Sequence, residues 1–444
     1  MSRLIITCAL LLLSVAAAGA KTQKLSLRDA MSMALENNNQ VKAAAFNSHA
    51  ASQGIDSANS RYLPAIALEE TFVASNSPIN AFMMKLDEGR FAMSDFDTIN
   101  NPPARHDFKT ALSIQQPLYV PALSPMKELA VKDAQKAALG LEAARQGIAF
   151  QTFFTYLEVQ KADAQLKAAD KAIADARENM RLTTVRTFAG VGLRSDELRS
   201  RTHLSSVEQQ HISAQNNLVL AKMKLAMLIG LPEDNDYEIT GFSDTIVVPA
   251  ISEQVVNNAL ETRVEIKQSH ADLEKSDAAL KLAWSGYLPT VGAFASYQLN
   301  AKDAPFPSDN EAWTAGVSLK WSIFDGFRTN SERRAALSGQ SAAREMLEST
   351  TKDVRYQLKE SYVRRDEAAK RLEVTRHAVA DAEETVRLLT KRYENSLSTM
   401  VELLDAQTAL NQTRANLVET EAGYALSGGR VYYMTGTFVK EMLK

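Results

Sequence analysis

Tyr62-Leu63-Pro64 returns 225 residues later as Tyr287-Leu288-Pro289, and the sequence before each triplet returns with it. Ala34-Leu35 matches Ala259-Leu260, Lys42 matches Lys267 and Ala58 matches Ala283 at the same spacing. Downstream the spacing changes to 206. There Ala172-Ile173-Ala174-Asp175-Ala176 is answered by Ala378-Val379-Ala380-Asp381-Ala382, Arg181-Leu182 by Arg387-Leu388, Arg186 by Arg392 and Gly230 by Gly436. The chain is one unit written twice, and a repeat this long constrains a fold more than any single motif. Each copy reads helix, strand, strand, very long helical hairpin.

Prolines fall at 64, 78, 102, 103, 117, 121, 125, 232, 249, 289, 305 and 307, which leaves 126–231 and 308–444 free of them. A proline inside a helix costs about 3 kcal/mol, so these two spans permit very long helices. Outgoing arms are expected over about 125–187 and 328–393, each roughly 95–100 Å long at ~1.5 Å per residue. Residues 25–60 and 194–230 suit helices of about half that length. Large and small residues alternate at steps of three and four along a seam: Leu166, Ala169, Ile173, Ala176, Met180 and Thr183 in the first copy. Leu372, Thr375, Val379, Ala382, Val386 and Leu389 repeat it, and Leu403, Ala406, Leu410, Thr413, Leu417, Thr420 and Tyr424 form the return arm. This is coiled-coil patterning with close helix approach.

Strands are expected at about 62–74 and 107–119, then at about 287–299 and 312–324. Trp313, Ala315, Val317, Leu319, Trp321 and Ile323 alternate with Thr314, Gly316, Ser318, Lys320 and Ser322. Such alternation suits a transmembrane β-strand. It suits equally an ordinary antiparallel sheet with one wet face. A long loop, 75–106, joins the first pair and a short one, 300–311, the second.

Residues 1–20 read as a secretory signal: Arg3, an apolar run from Leu4 to Val15, and Ala18-Gly19-Ala20 before Lys21. The single cysteine, Cys8, falls inside it, so the mature chain is expected to be cysteine-free, unlipidated and without disulfides. Losing Arg3 lowers the formal charge from −3 to −4, which offers nothing to nucleic acid. No later segment has 18 uninterrupted apolar residues, so entry into a bilayer would need strands closed into a barrel. His49, His106, His203, His211, His270 and His377 show no metal-ligand spacing, and there is no P-loop or G-x-S-x-G. No metal, cofactor or enzymatic activity is expected.

With these residues in view, the chain resembles the TolC-type outer membrane factors over 21–444. The resemblance rests on the repeat, the Tyr-Leu-Pro triplets, Gln116-Pro117-Leu118-Tyr119 and Ser322-Ile323-Phe324-Asp325-Gly326 closing the strand pairs, and the hairpin tips at about 188–195 and 394–400. It implies a mixed α/β membrane protein in which a homotrimer forms a 12-stranded transmembrane β-barrel continuous with a periplasmic α-helical barrel of twelve columns. The copies would then be 21–230 and 252–436, with an equatorial linker at 231–251 and an equatorial tail at 437–444. It also implies a passive exit duct in the outer membrane of a Gram-negative bacterium. The duct would meet outer membrane lipid, a periplasmic adaptor and an inner-membrane transporter of RND, ABC or MFS type.

The resemblance assigns roles to the tips. Gly190, Val191, Gly192 and Leu193, with Ser396 and Leu397 in the second copy, are the expected adaptor-docking residues. Ser396 stands where the family prefers glycine. On the residues alone these are equally helix–helix turns without a partner. Glu402 and Asp405, spaced i, i+3, correspond to the family's acidic entrance constriction; read alone they are a solvated helix face. Asp196 and Tyr393 correspond to a closed-state latch, whose arginine partner in some relatives is Ser398 here. The competing expectation is a soluble periplasmic coiled-coil adaptor or structural rod, which would not write a strand pair before each hairpin. Drugs, metal ions, peptides and proteins all fit the generic wall of such a duct.

Overall fold

The computed structural model describes residues 23–232, 237–241, 246–306 and 310–443. The expected signal segment, 1–20, lies outside them, as do parts of the 231–251 linker. In chain order the elements are β1 (Gln23–Leu25), α1 (Leu27–Asn37), α2 (Asn39–Ser60), β2 (Ala65–Ser75), α3 (Pro78–Asp87), β3 (Arg105–Tyr119), α4 (Leu123–Phe188) and α5 (Arg194–Ile229). β4 (Tyr237–Ile239), α6 (Glu253–Thr262), α7 (Val264–Ser285), β5 (Thr290–Ala301), β6 (Glu311–Lys320), α8 (Arg328–Glu394), α9 (Met400–Met434) and α10 (Phe438–Met442) follow. The long arms α4 and α8 run 66 and 67 residues, close to their expected spans. Among the described residues no helix is long and apolar enough to cross a membrane.

The chain divides into two compact units, one of Ala45–Gly140 with Lys267–Thr350, the other of the remaining segments. The first unit holds an antiparallel sheet in the order β2-β3-β5-β6. Its register sorts most side chains by polarity, with Val73 and Phe294 as apolar exceptions on the polar face. Ile66, Leu68, Phe72, Phe108, Leu112, Ile114, Tyr297, Leu299, Trp313, Val317 and Leu319 share one face, interrupted by the row Glu70, Thr110 and Glu311. Glu69, Thr71, Asp107, Lys109, Ser113, Gln115, Ser296, Gln298, Asn300, Thr314 and Ser318 lie on the other. The apolar face is solvent-exposed.

The Tyr-Leu-Pro triplets are turns rather than strand. Tyr62 N donates to Asn59 O at 3.0 Å and Leu63 N to Ser60 O at 3.0 Å, with the same pattern at Tyr287 and Leu288. Proline then ends the turn, and β2 and β5 start one residue later. β6 stops at Lys320 instead of extending to 324. The 75–106 loop is itself folded, into α3 and a 3-10 turn at Met93–Thr98. Four ion pairs tie α4 to α7 in this unit: Glu128–Lys281, Lys132–Glu274, Asp133–Lys275 and Lys136–Asp272.

Of the two expected half-length helices, 194–230 is the unbroken α5, whereas 25–60 is broken once, and the second copy repeats that break 225 residues on. Asn38 (φ −62°, ψ 128°) separates α1 from α2, and Arg263 (φ −60°, ψ 129°) separates α6 from α7. Each break is pinned to the end of a returning arm. Asn38 Nδ2 donates to Leu228 O at 3.0 Å, and Arg263 Nη1 to Met434 O at 3.2 Å. The arms end at Gly230 (φ +75°) and Gly436 (φ +74°). A Cβ at Gly230 would stand 2.7 Å from the Cβ of Asn37, so the close approach itself demands glycine. One joint is therefore built twice.

Below the first joint lies the main core, where Met31 and Ala34 of α1 meet Phe153, Tyr156 and Leu157 of α4, Leu225 and Ile229 of α5, Tyr237 and Phe438. The Tyr156 hydroxyl sits 3.0 Å from Leu25 O and 2.6 Å from Thr240 O, fastening the parallel β1–β4 pair to α4. Within the expected tail, α10 delivers Phe438 to this core. The second-copy seam is buried or half-buried as expected. The first-copy seam is likewise buried or half-buried at all six positions, with Ala176 and Thr183 fully enclosed and Ala172 and Asn179 buried beside it.

Candidate functional site

α4 turns back at Gly190, whose φ of +75° only glycine adopts without strain. Val191 N and Gly192 N both reach back to Arg186 O, at 3.0 and 2.9 Å. A Cβ on Gly192 would stand 2.8 Å from Thr187 N, so the turn is closed against any larger residue there. The second tip repeats this geometry 206 residues on: Leu397 N reaches Arg392 O at 2.7 Å, and Ser396 takes the left-handed conformation with φ +61°. The serine thus occupies the glycine position at a cost of about 1–2 kcal/mol.

Arg186 explains what offsets that cost. Its Nη2 donates to Ser396 Oγ at 2.7 Å, and its Nη1 to Tyr393 O and Glu394 O at 3.1 and 2.9 Å. The guanidinium also lies over the Tyr393 ring, 5.0 Å from its centroid. Arg392, the repeat partner of Arg186, caps its own turn through Leu397 O at 3.2 Å. One arginine of the pair crosses between hairpins while the other stays in its own. Two further ties lie deeper: Asn179 Nδ2 to Gln407 Oε1 at 2.5 Å, buried, and Arg414 to Glu383 and Asp175 at 2.7 and 3.5 Å.

Tyr393 is 4% exposed and packs with Met400, Leu403, Leu182 and Leu389. Burial pushes its hydroxyl above the ordinary range, the Asp196 charge adds to the rise and Arg186 opposes it. Asp196 is thus near enough to act through its field. Among the described residues no hydrogen bond joins the two within one chain; Asp196 N caps back to Leu193 O at 3.1 Å. Glu402 and Asp405 are exposed on the first turns of α9. Glu402 also closes a capping box: Thr399 N donates to its Oε2 at 3.1 Å while its own N–H reaches Thr399 Oγ1 at 3.3 Å.

Val191, Leu193 and Leu397 are exposed apolar side chains at the tips. Phe188, which the sequence reading did not single out, is 95% exposed beside them. An aromatic at the last helical position next to a glycine turn was a usable signal for it. The signal for Arg186 was its repetition as Arg392; its role across the hairpins was not legible.

A family profile described as "Outer membrane efflux protein" matches residues 30–231 and 255–437. Nodulation protein T of Rhizobium leguminosarum bv. trifolii is 22% identical over 281 residues, 61% of this chain and 59% of that protein. The proteases secretion protein PrtF of Dickeya chrysanthemi is 20% identical over 96% of this chain and 92% of its own length. The outer membrane protein TolC of Vibrio cholerae is 22% identical over 94% of this chain and 92% of its own. Among solved structures, the Campylobacter jejuni CmeC outer membrane channel superposes with a TM-score of 0.78 at 18% identity, covering 94% of this chain and 89% of that one.

Proposed function

The chain belongs to the outer membrane efflux protein family, and on that footing we propose that three copies of it assemble into a passive exit duct through the outer membrane. The observation that carries this reading is the sheet: four strands, an apolar outer face, and unpaired edges on β2 and β6. Lipid tolerates no open edge, and the smallest bacterial barrels have eight strands. Three copies supply twelve strands and remove every edge. Trp313 and Trp321 stand eight residues apart. At ~3.4 Å per residue and a tilt of ~40° that spans about 21 Å, near the ~25 Å of an outer-membrane apolar band.

The helices call for the same partners. Ile212, Val219, Leu220, Met223 and Met227 form an exposed apolar stripe on α5. Such a stripe is satisfied by a neighbouring copy's helices. At the periplasmic end, the exposed Phe188, Val191, Leu193 and Leu397 suit docking of an adaptor's helical hairpin around Gly190, Gly192 and Ser396. Glu402 and Asp405 would become rings of three carboxylates each, a cation-attracting constriction. Asp196 and Tyr393 of neighbouring copies would form a latch when the entrance is closed. An inner-membrane transporter would supply the energy.

Membrane fractionation, the mass of the detergent-solubilised protein and planar-bilayer recording test the reading together. Recovery in the outer membrane, a trimer mass and discrete channels are expected. A monomer recovered wholly in the soluble periplasm would overturn it in favour of a soluble coiled-coil protein.

A further inference from the structure

The 76–104 segment is a small folded body. Phe82, Phe91 and Phe96 stack edge-to-face at 5.1 and 5.4 Å between centroids and form its centre. Lys85 pairs with Asp95 at 2.5 Å, and Arg105 approaches the same carboxylate at 3.7 Å. Ala81 and Met84 are buried, the former 2% exposed, and α3 packs against β3.

Its attachment has a side. Arg105 and Asp107 point to the polar face of the sheet, as does Asn300, which donates to Asp107 at 2.7 Å. Glu88 at the end of α3 is buried and pairs with Arg90 at 3.2 Å. Burial raises its carboxyl above the ordinary range, and the Asp107 charge adds to the rise. The Asn310 side chain donates to Asp87 O and packs against Gly89, where a Cβ would come within 2.9 Å of it. The segment is therefore clamped to polar-face groups at the end of the sheet away from the helices.

That placement leaves one surface unexplained. Ile79, Met83 and Leu86, spaced i, i+4, i+7, form an apolar stripe along α3, and Ile79 is 75% exposed. Among the described residues nothing buries it: Met83 and Leu86 are half-exposed as well. A barrel in lipid closes with its polar face inward, so the segment stands over the bore at the outer mouth, where water would otherwise meet the stripe. The geometry points to one occupant: the same stripe on the other two copies. The three α3 helices pack against one another through Ile79, Met83 and Leu86 and constrict the outer mouth with an apolar ring. This rests on the trimeric barrel proposed above.

The absence of any cysteine after Cys8 makes the test direct. Met83→Cys in the full-length protein, oxidised in isolated outer membranes, is expected to give a disulfide-linked dimer on non-reducing gels. Met83 is half-exposed, so the substitution leaves the fold intact. Ile79→Asp/Met83→Asp, recorded in planar bilayers, is expected to raise single-channel conductance at least twofold. The mass of the solubilised wild type is measured in parallel. A trimer with neither crosslink nor conductance change overturns the ring and leaves the duct standing; a wild type that is not a trimer overturns both.

Discussion

Arg186 lays its guanidinium 5.0 Å over the ring of Tyr393 while donating to that residue's carbonyl at 3.1 Å, so a single side chain of the first hairpin holds both the ring and the backbone of the second. Removing it as Arg186→Ala should cost roughly 2–4 kcal/mol of local stability at the tips, from the lost charged hydrogen bonds and cation–π contact. The expected readouts are faster hydrogen exchange at Tyr393–Leu397 and a higher single-channel conductance. Arg186→Lys should recover less than half of the effect, because an ammonium lacks the planar fork that serves two carbonyls and a hydroxyl together.

Tyr393→Phe separates the clamp from the proposed latch. The ring stays under Arg186, and no hydrogen bond within the chain joins the hydroxyl to Asp196. Thermal stability should therefore change by less than ~0.5 kcal/mol. If the hydroxyl latches to a neighbouring copy's Asp196, Tyr393→Phe and Asp196→Ala should raise conductance alike. Equal stability together with unchanged conductance for both would leave Arg186 and the deeper Asn179 and Arg414 ties as the links between the hairpins.

At the first tip, Gly192→Ala should be more damaging than Gly190→Ala. The first forces a Cβ to within 2.8 Å of the Thr187 backbone nitrogen, whereas the second meets open space and carries only left-handed strain, about 1–2 kcal/mol. Limited proteolysis at 186–194 should rank the variants in that order. Ser396→Gly removes the strain but also the Arg186 contact at 2.7 Å, so it should be close to neutral.

The second joint should be acid-sensitive. Burial alone would raise the Glu265 carboxyl, but hydrogen bonds and charge from Arg263 outweigh it and hold it below its ordinary 4.5. A depressed acid contributes stability that is fully present above its unfolded pKa and is lost as pH falls through the folded one. Melting temperature should drop as pH falls below about 4.5. Arg263→Ala should lower it at pH 7 by about 3 kcal/mol equivalent and flatten the acid limb. Asn38→Ala, which loses one neutral bond to Leu228 O, should cost about 1 kcal/mol without altering the pH profile.

The repeat made most of the architecture legible. Proline-free spans located α4 and α8 to within two residues at their ends, because nothing interrupts helix propensity there. The breaks at Asn38 and Arg263 were not legible, since each depends on a carbonyl some 170–190 residues away. Neither asparagine nor arginine ends a helix by itself. Strand starts are not legible because Tyr-Leu-Pro reads as strand by composition, while its amides close a turn. At the tips, the glycine turn, the Thr399–Glu402 capping box and the apolar knobs can be read from local spacing. The Arg186 clamp cannot, because it links positions 207 to 210 residues apart.

The two copies agree at the joints and differ at the hairpin tips and in the strand connections. Asn38 with Gly230 and Arg263 with Gly436 are near-equivalents, but the tips carry Gly190 against Ser396, and the strand pairs are joined by 76–104 against 302–310. In the proposed trimer the joints would be related by sixfold pseudosymmetry and the tips by threefold symmetry alone. Anything that grips the joints of that trimer would meet six alike sites, whereas a partner at the tips would meet two kinds of site in alternation. Such a partner can use the difference between Gly190 and Ser396 to fix its rotational position about the axis.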